Sequence, residues 1–368
     1  MRILHIDPDD IDNPLSGGGP VRTFEICRRL AERHEVTVLT PTFPGSTPRK
    51  QRDAVRYHRI GRRVGDHGSS HHLTFFFLAP FVAGNYPHDI LVEDFMPPAA
   101  ATFLPLLRRG PLVASVQWFM AQDLSRQFHL PFWLGEQYGI RLYRNFVVLT
   151  EEMRRLITDR HRKARCEVIP NAVDPALFQI PPNAGQGILY LGRIDFQQKG
   201  VDLLLQALAL MPPAKRPKLT LAGHSFIEDE LRARIESLGL EGHVRYVGRV
   251  DAGGRATLLA DARVVCVPSR SETFGMVILE ASAAAKTVVT FDRWPMNEVA
   301  APDSAIRVAF LSVPELSGAL AAADRLDDSE LLRRGLRARS HALNYDWNTA
   351  AERQEAFYER VVHEHANP

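Results

Sequence analysis

Cysteine is scarce in this chain: Cys27, Cys166 and Cys266 are the three among 368 residues, an odd number without metal-site spacing. That usage excludes a disulfide-stapled secreted scaffold and a zinc module, and it fits reduced core thiols in a cytoplasmic protein. Long hydrophobic runs are missing too. The longest, residues 73–84 (LTFFFLAPFVAG), falls short of the roughly 20 apolar residues that cross a bilayer. A dominant charge is also absent, since 45 Lys and Arg face 43 Asp and Glu for a net charge of +2. Nothing overall therefore points to nucleic acid. There is no repeat of solenoid period, no low-complexity tail and no linker long enough to be disordered. The opening MRILHID reads as a strand and lacks a signal-peptide pattern. With 24% charged and 45% hydrophobic residues the composition is that of a soluble globular protein. A chain of this length favours two domains of roughly 150–200 residues.

The most informative stretch is residues 268–290, PSRSETFGMVILEASAAAKTVVT. It follows the apolar run Val264, Val265, Cys266, Val267 and leads into a second apolar run at 287–291, with a helix between them. A helix linking two apolar strands is a right-handed crossover of a parallel sheet, and ligands gather at the carboxyl ends of such strands. Glu272 precedes the helix and Glu280 lies about one turn inside it. Helical side chains lean toward their N-terminus, so Glu280 is expected to reach back toward the space that Glu272 faces. Phe274, Gly275 and Met276 offer free backbone N–H groups at the helix start, a site for sugar hydroxyls or phosphate oxygens. The plainer reading is a capped helix with solvated acids.

Glu-x7-Glu with Phe-Gly after the first acid, set between two apolar strands, resembles the donor-site signature of retaining GT-B glycosyltransferases, and by motif glycosyltransferase family 4. The resemblance implies an α/β chain with two Rossmann-like domains facing across a cleft. It implies transfer of a sugar from a nucleotide-diphosphate sugar, a UDP-sugar by preference, to a hydroxyl of a saccharide, lipid-linked saccharide or natural-product acceptor, with retention and without a metal or other cofactor. Residues 1–168 would bind the acceptor, 169–346 the donor, and 347–368 would form a helix returning to the first domain, with Asn348 or Thr349 as its N-cap.

The first domain opens with a strand, the loop DDIDNPLSGGGPVRT, a helix and a second strand. This βαβ unit does not match the dinucleotide fingerprint G-x-G-x-x-G. Gly17, Gly18 and Gly19 let a ligand approach the backbone, or belong to a flexible surface loop. The resemblance places Gly17 and Gly18 over the donor diphosphate. Residues 49–63 carry seven basic side chains beside the apolar 73–84 segment. Together these are either a peripheral membrane contact or, as the many acids nearby favour, a solvated face next to a core helix. Trp118, Phe119, Phe128 and Phe132 would stack on a sugar or cap the core. In many family members a histidine that contacts the transferred sugar follows the strand at 112–116. Here Gln117 stands in its place, an amide that hydrogen-bonds but carries no charge near neutral pH.

The prolines after VIPNAVD (168–174) mark the domain boundary. The family places this stretch beside the donor, which makes Asn171 a candidate. Next comes GRIDFQQKGVDLLLQALALM, where Arg193 and Lys199 sit at a strand-to-helix junction. Two fixed cations there meet the charge growing on a departing diphosphate. By resemblance Glu272 and the amides of Phe274 to Met276 hold sugar hydroxyls, and Glu280 accepts both ribose hydroxyls. Gly248 to Val250 would abut the base. Three other readings keep the same architecture: a nucleotide-sugar 2-epimerase, a sugar phosphorylase, and a non-catalytic nucleotide-sugar-binding partner.

Overall fold

The computed structural model describes residues 1–14, 16–62, 70–95, 104–108, 110–117, 119, 121, 125 and 129–367, with the backbone alone for 70–73. The chain divides into two compact units, Met1–Asn171 with Trp347–Pro368, and Ala172–Asp346.

The first unit holds strands β1 (Arg2–Ile6), β2 (Glu35–Pro41), β3 (Arg49–Arg52), β4 (Val55–Ile60), β5 (Ile90–Asp94), β6 (Leu112–Val116), β7 (Asn145–Val148) and β8 (Arg165–Val168). They form one eight-stranded sheet in the order β3-β4-β2-β1-β5-β6-β7-β8. All neighbours pair in parallel except β3 with β4. The central strands are buried along nearly their whole length, as RILHI and ILVED show. Runs of this kind are required where helices cover both faces of a parallel sheet. The antiparallel β3, RKQR, went unread at the sequence level; its charged, exposed side chains suit an edge that must not recruit another strand.

The helix Ser70–Val82 packs Phe75 and Ala79 against Leu4, Ile6, Leu39 and Leu91 of the sheet. Its opposite face leaves Phe77 75%, Leu78 43% and Phe81 64% exposed. The expected N-cap of the last helix is corrected: the helix starts at Trp347, so Asn348 and Thr349 lie within it. Asn348 instead accepts from Arg29 Nε at 2.7 Å. That helix packs on Gly19–Leu30 and buries Trp347, Phe357, Tyr358 and Val361, and its Gln354 accepts from the buried Arg22 at 3.1 Å. Burial of Arg22 pushes its guanidinium down to about 10, still cationic at neutral pH.

The second unit holds β9 (Gln186–Leu191), β10 (Leu219–Ala222), β11 (Val244–Tyr246), β12 (Ala262–Val267), β13 (Thr287–Phe291) and β14 (Ile306–Val308). They form a wholly parallel six-stranded sheet, order β11-β10-β9-β12-β13-β14. In each sheet the chain order reverses at one place, between β1 and β5 in the first and between β9 and β12 in the second. Crossovers leave to opposite sides at such a switch point, which opens a crevice at the carboxyl ends of the two strands. Cys27 and Cys266 are buried and Cys166 is half-buried; all three are free thiols. Among the described residues no helix is long and apolar enough to cross a membrane.

Candidate functional site

In the second unit the switch point lies between the ends of β9 and β12, and the loops leaving them are bound together. Gly200 precedes the helix Val201–Ala209 with φ +68°, and a Cβ there would stand 2.1 Å from the Pro268 carbonyl oxygen. Only glycine permits both the left-handed backbone and that approach. The Gln198 carbonyl accepts the amides of Arg270 and Ser271 at 2.9 and 3.2 Å. Arg270 forks onto Asp202 at 2.6 and 2.7 Å, and this carboxylate raises the guanidinium further above its ordinary value.

So held, Lys199 and Glu272, 73 residues apart, meet: Nζ donates to both carboxylate oxygens at 2.8 and 2.9 Å. Ser269 Oγ donates to the same Oε1 at 2.7 Å. The pair is largely shielded, with side-chain exposures of 22% and 11%. Arg193 sits at the same crevice, 45% exposed, donating to the Gln198 side-chain oxygen and lying 3.8 Å from Asp195. The sequence had grouped Lys199 with Arg193 against a diphosphate and given Glu272 to the sugar. In this structure Lys199 is held by Glu272.

Gly275, with φ +93°, turns the chain into the helix Met276–Ala283. Phe274 is buried, 6.2 Å edge-on from Tyr345, so it presents its backbone and not its ring to a ligand. The Met276 and Val277 amides lie in the first turn, where no intrahelical acceptor exists. Glu280 is buried and takes a 2.6 Å bond from Arg255 Nη1. Burial raises its carboxyl above the ordinary range, with Asp174 adding to the rise and Arg255 opposing it. The two acids of the motif thus serve different partners, Lys199 with Ser269 for one and Arg255 for the other. Val250 immediately precedes Asp251, which caps the helix Ala252–Asp261 that carries Arg255.

In the first unit the switch point lies between β1 and β5. Gln117 follows β6, and its Nε2 donates to Asp94 Oδ2 at 2.5 Å. Gly17 and Gly18 are exposed at the start of Gly19–Leu30, and nothing stands within 4 Å of a Cβ placed on Gly17. Asn171 is buried and its Oδ1 accepts from Arg22 at 3.1 Å. Phe119 is buried beneath Arg160, 4.8 Å from the ring centre, a core position; Phe132 is half-buried; Trp118 and Phe128 lie outside the described residues. Among the described residues no cluster of His, Cys, Asp and Glu side chains is placed to hold a metal ion.

Sequence reading missed Asp94, Arg22, Ser269 and Arg255. Ser269 stood inside the quoted PSRSETFG stretch, so its neighbour Glu272 could have flagged it. Arg255 and Asp94 come from other elements, 25 and 23 residues from the groups they hold, and no local pattern announces them.

Two doubly wound units, one with a lysine–glutamate pair at its switch point and a helix N-terminus beside it, are the architecture of the GT-B class. The family model described as Glycosyl transferases group 1 matches residues 180–334, and the one described as Glycosyltransferase Family 4 matches 16–177. A phosphatidyl-myo-inositol mannosyltransferase of Mycolicibacterium smegmatis is 34% identical over 389 residues, covering 98% of this chain and 94% of that one. A D-inositol 3-phosphate glycosyltransferase of Jonesia denitrificans is 35% identical over 188 residues, 48% of this chain and 43% of that one. Among solved structures, sucrose-phosphate synthase of Thermosynechococcus elongatus superposes with a TM-score of 0.81 at 17% identity, covering 98% of both chains. Anabaena HepE in complex with UDP-glucose gives 0.74 at 18% identity over 96% of this chain and 97% of that one. The chain belongs to the group 1, family 4 glycosyltransferases.

Proposed function

We propose that this enzyme moves a hexosyl group from a nucleoside-diphosphate sugar to an acceptor hydroxyl with retention at the anomeric carbon, without a metal. The observation that carries this is Lys199 spanning both oxygens of Glu272 at the crevice of the second sheet. A diphosphate entering there meets Lys199, Arg193 and the first-turn amides of Met276–Ala283. Each charge-assisted contact contributes on the order of 1.5–3 kcal/mol. As Lys199 turns to the phosphate, Glu272 is released to accept hydroxyls of the sugar. Glu280 accepts the ribose hydroxyls, with Arg255 keeping its carboxylate charged. The family resemblance assigns Gly17 and Gly18 to the diphosphate, Asn171 and Gln117 to the donor, and Val250 to the base.

The bond from the anomeric carbon to the phosphate oxygen breaks as the bond to the acceptor oxygen forms on the same face. The acceptor proton passes to the departing phosphate oxygen, so no protein base is needed. Two fixed cations stabilise the charge that grows on the leaving group.

A UDP-sugar is the donor proposed first, with guanosine and thymidine diphosphate sugars as the alternatives. The names of the curated relatives favour a mannosyl group and an inositol-phospholipid acceptor. The exposed Phe77, Leu78 and Phe81 on Ser70–Val82 fit shallow contact with a bilayer presenting such a lipid, on its cytoplasmic face. The test is incubation of the chain with uridine, guanosine and thymidine diphosphate sugars and with phosphoinositide vesicles, followed by NMR of the product anomer. Retained configuration with chelator present is expected. Inverted product, or epimerised sugar released without acceptor, would overturn the reading.

A further inference from the structure

The loops that leave β9 and β12 carry a third cation beside Arg193 and Lys199, and Arg270 has no assigned task. Its place suits a ligand for the diphosphate; its bonds do not. Nη1 donates to Asp202 Oδ1 at 2.6 Å and to the Phe196 carbonyl, and Nη2 donates to Asp202 Oδ2 at 2.7 Å. The Arg270 amide donates to the Gln198 carbonyl at 2.9 Å. One residue of the β12 loop thus grips Phe196, Gln198 and Asp202, which bracket Lys199 on both sides. Both side chains of the ion pair are largely shielded, unlike the solvent-screened bridges that contribute little. Asp202 lies in the first turn of Val201–Ala209, where a carboxylate is favoured.

The two ion pairs of the crevice differ in what it takes to open them. Lys199 places one ammonium on one carboxylate, keeps a third N–H to spare and swings on a four-carbon stem. Arg270 is a planar fork. To reach a phosphate it must give up three bonds and leave the Asp202 carboxylate unpaired, three residues from Lys199. A diphosphate entering the crevice therefore draws Lys199 off Glu272 and leaves Arg270 in place. We propose that Arg270 is a positioning residue whose fork on Asp202 holds the Glu272 loop against the Lys199 turn while the Lys199–Glu272 pair is open, so that Glu272 stays where it receives the transferred sugar. The proposal rests on the transferase reading above. It assigns the third cation to the loops and not to the phosphate. The direct link between the loops is lost when the phosphate takes Lys199, and a displacement of about 1 Å at a reacting group costs on the order of 100-fold in rate.

Two measurements on the full chain test it. Crystals of the wild type soaked with uridine, guanosine or thymidine diphosphate should show Lys199 turned to the phosphate and the fork of Arg270 on Asp202 unchanged. Arg270 bonded to a phosphate oxygen would overturn the proposal whether or not any variant folds. In steady state, Arg270→Met and Asp202→Asn should each lower kcat about 10- to 100-fold. Their Kd for free nucleoside diphosphate should stay within about threefold of wild type, because Arg193, Lys199 and the helix amides still meet it. Arg270→Lys should be as slow as Arg270→Met, since an ammonium keeps the charge without the fork. The double variant should be no slower than the slower single one, because both changes remove one strut. Wild-type kcat in Arg270→Lys would show that charge alone suffices, and a loss of nucleotide affinity matching the loss of kcat would show that Arg270 serves the phosphate; either overturns the strut. Absence of turnover by the wild type on every donor would overturn the transferase reading itself, whereas a failed strut leaves that turnover intact, so the two failures are told apart.

Discussion

Glu272→Gln separates two roles that fall on one carboxylate. Glu272 holds Lys199 by two bonds of 2.8 and 2.9 Å and receives a third from Ser269 at 2.7 Å. A diphosphate seeking Lys199 must compete with that carboxylate and enters a crevice that already carries its negative charge. Two unit charges about 4 Å apart interact by about 4 kcal/mol at an effective dielectric of 20. Solvent reaching the pair removes most of this, leaving about 1 kcal/mol, or roughly fivefold in affinity. Free nucleoside diphosphate should therefore bind Glu272→Gln about fivefold tighter than wild type. Sugar transfer should meanwhile fall about 100-fold, because the carboxylate that receives the sugar hydroxyls is gone. Lys199→Ala should do the opposite to binding, weakening free nucleotide roughly 10- to 150-fold for the loss of one charge-assisted contact. Isothermal titration with each diphosphate, paired with thermal unfolding, reads both variants. Should Glu272→Gln bind nucleotide no better than wild type while Lys199→Ala binds it equally well, the diphosphate lies elsewhere and the argument fails.

Gly200→Ala should destabilise the protein by at least about 2 kcal/mol, since it combines a left-handed residue with a methyl 2.1 Å from a carbonyl oxygen. For a unit the size of Ala172–Asp346 that is a fall in Tm of roughly 4–8 °C, with weaker nucleotide binding because Lys199 is its neighbour; an unchanged Tm would refute it. Glu280 supplies the pH test. Burial raises its carboxyl above the ordinary 4.5, so the charged form that receives ribose hydroxyls is lost at higher pH than for an exposed glutamate. Nucleotide affinity should fall as pH drops through that raised value, and Glu280→Gln should bind weakly with no such limb. For folding the sign is reversed: the protonated form favours the native state at low pH, and this contribution disappears as pH rises through the native value.

From the sequence alone came the α/β class, the crossover around residues 268–290 and the family. These rest on short-range signals: apolar runs of strand length, helical spacing, and a glycine beside an acid. Residues 193–200 and 268–276 could be named as loops at strand ends for the same reason. Which side chains touch was decided by folding. That Lys199 closes on Glu272 depends on β9 and β12 being neighbours in the sheet though the two residues are 73 apart in the chain. That Glu280 belongs to Arg255 depends on Ala252–Asp261 bringing the guanidinium within 2.6 Å of it across 25 residues of chain. Asp94, a residue in an ordinary buried strand by pattern, gains its place only because β5 lies beside β1 at the reversal of strand order. Periodicity encodes which face of an element is buried, and strand order encodes nothing locally; it is set by the packing of helices on both faces, so partners across a switch point appear only in the folded chain.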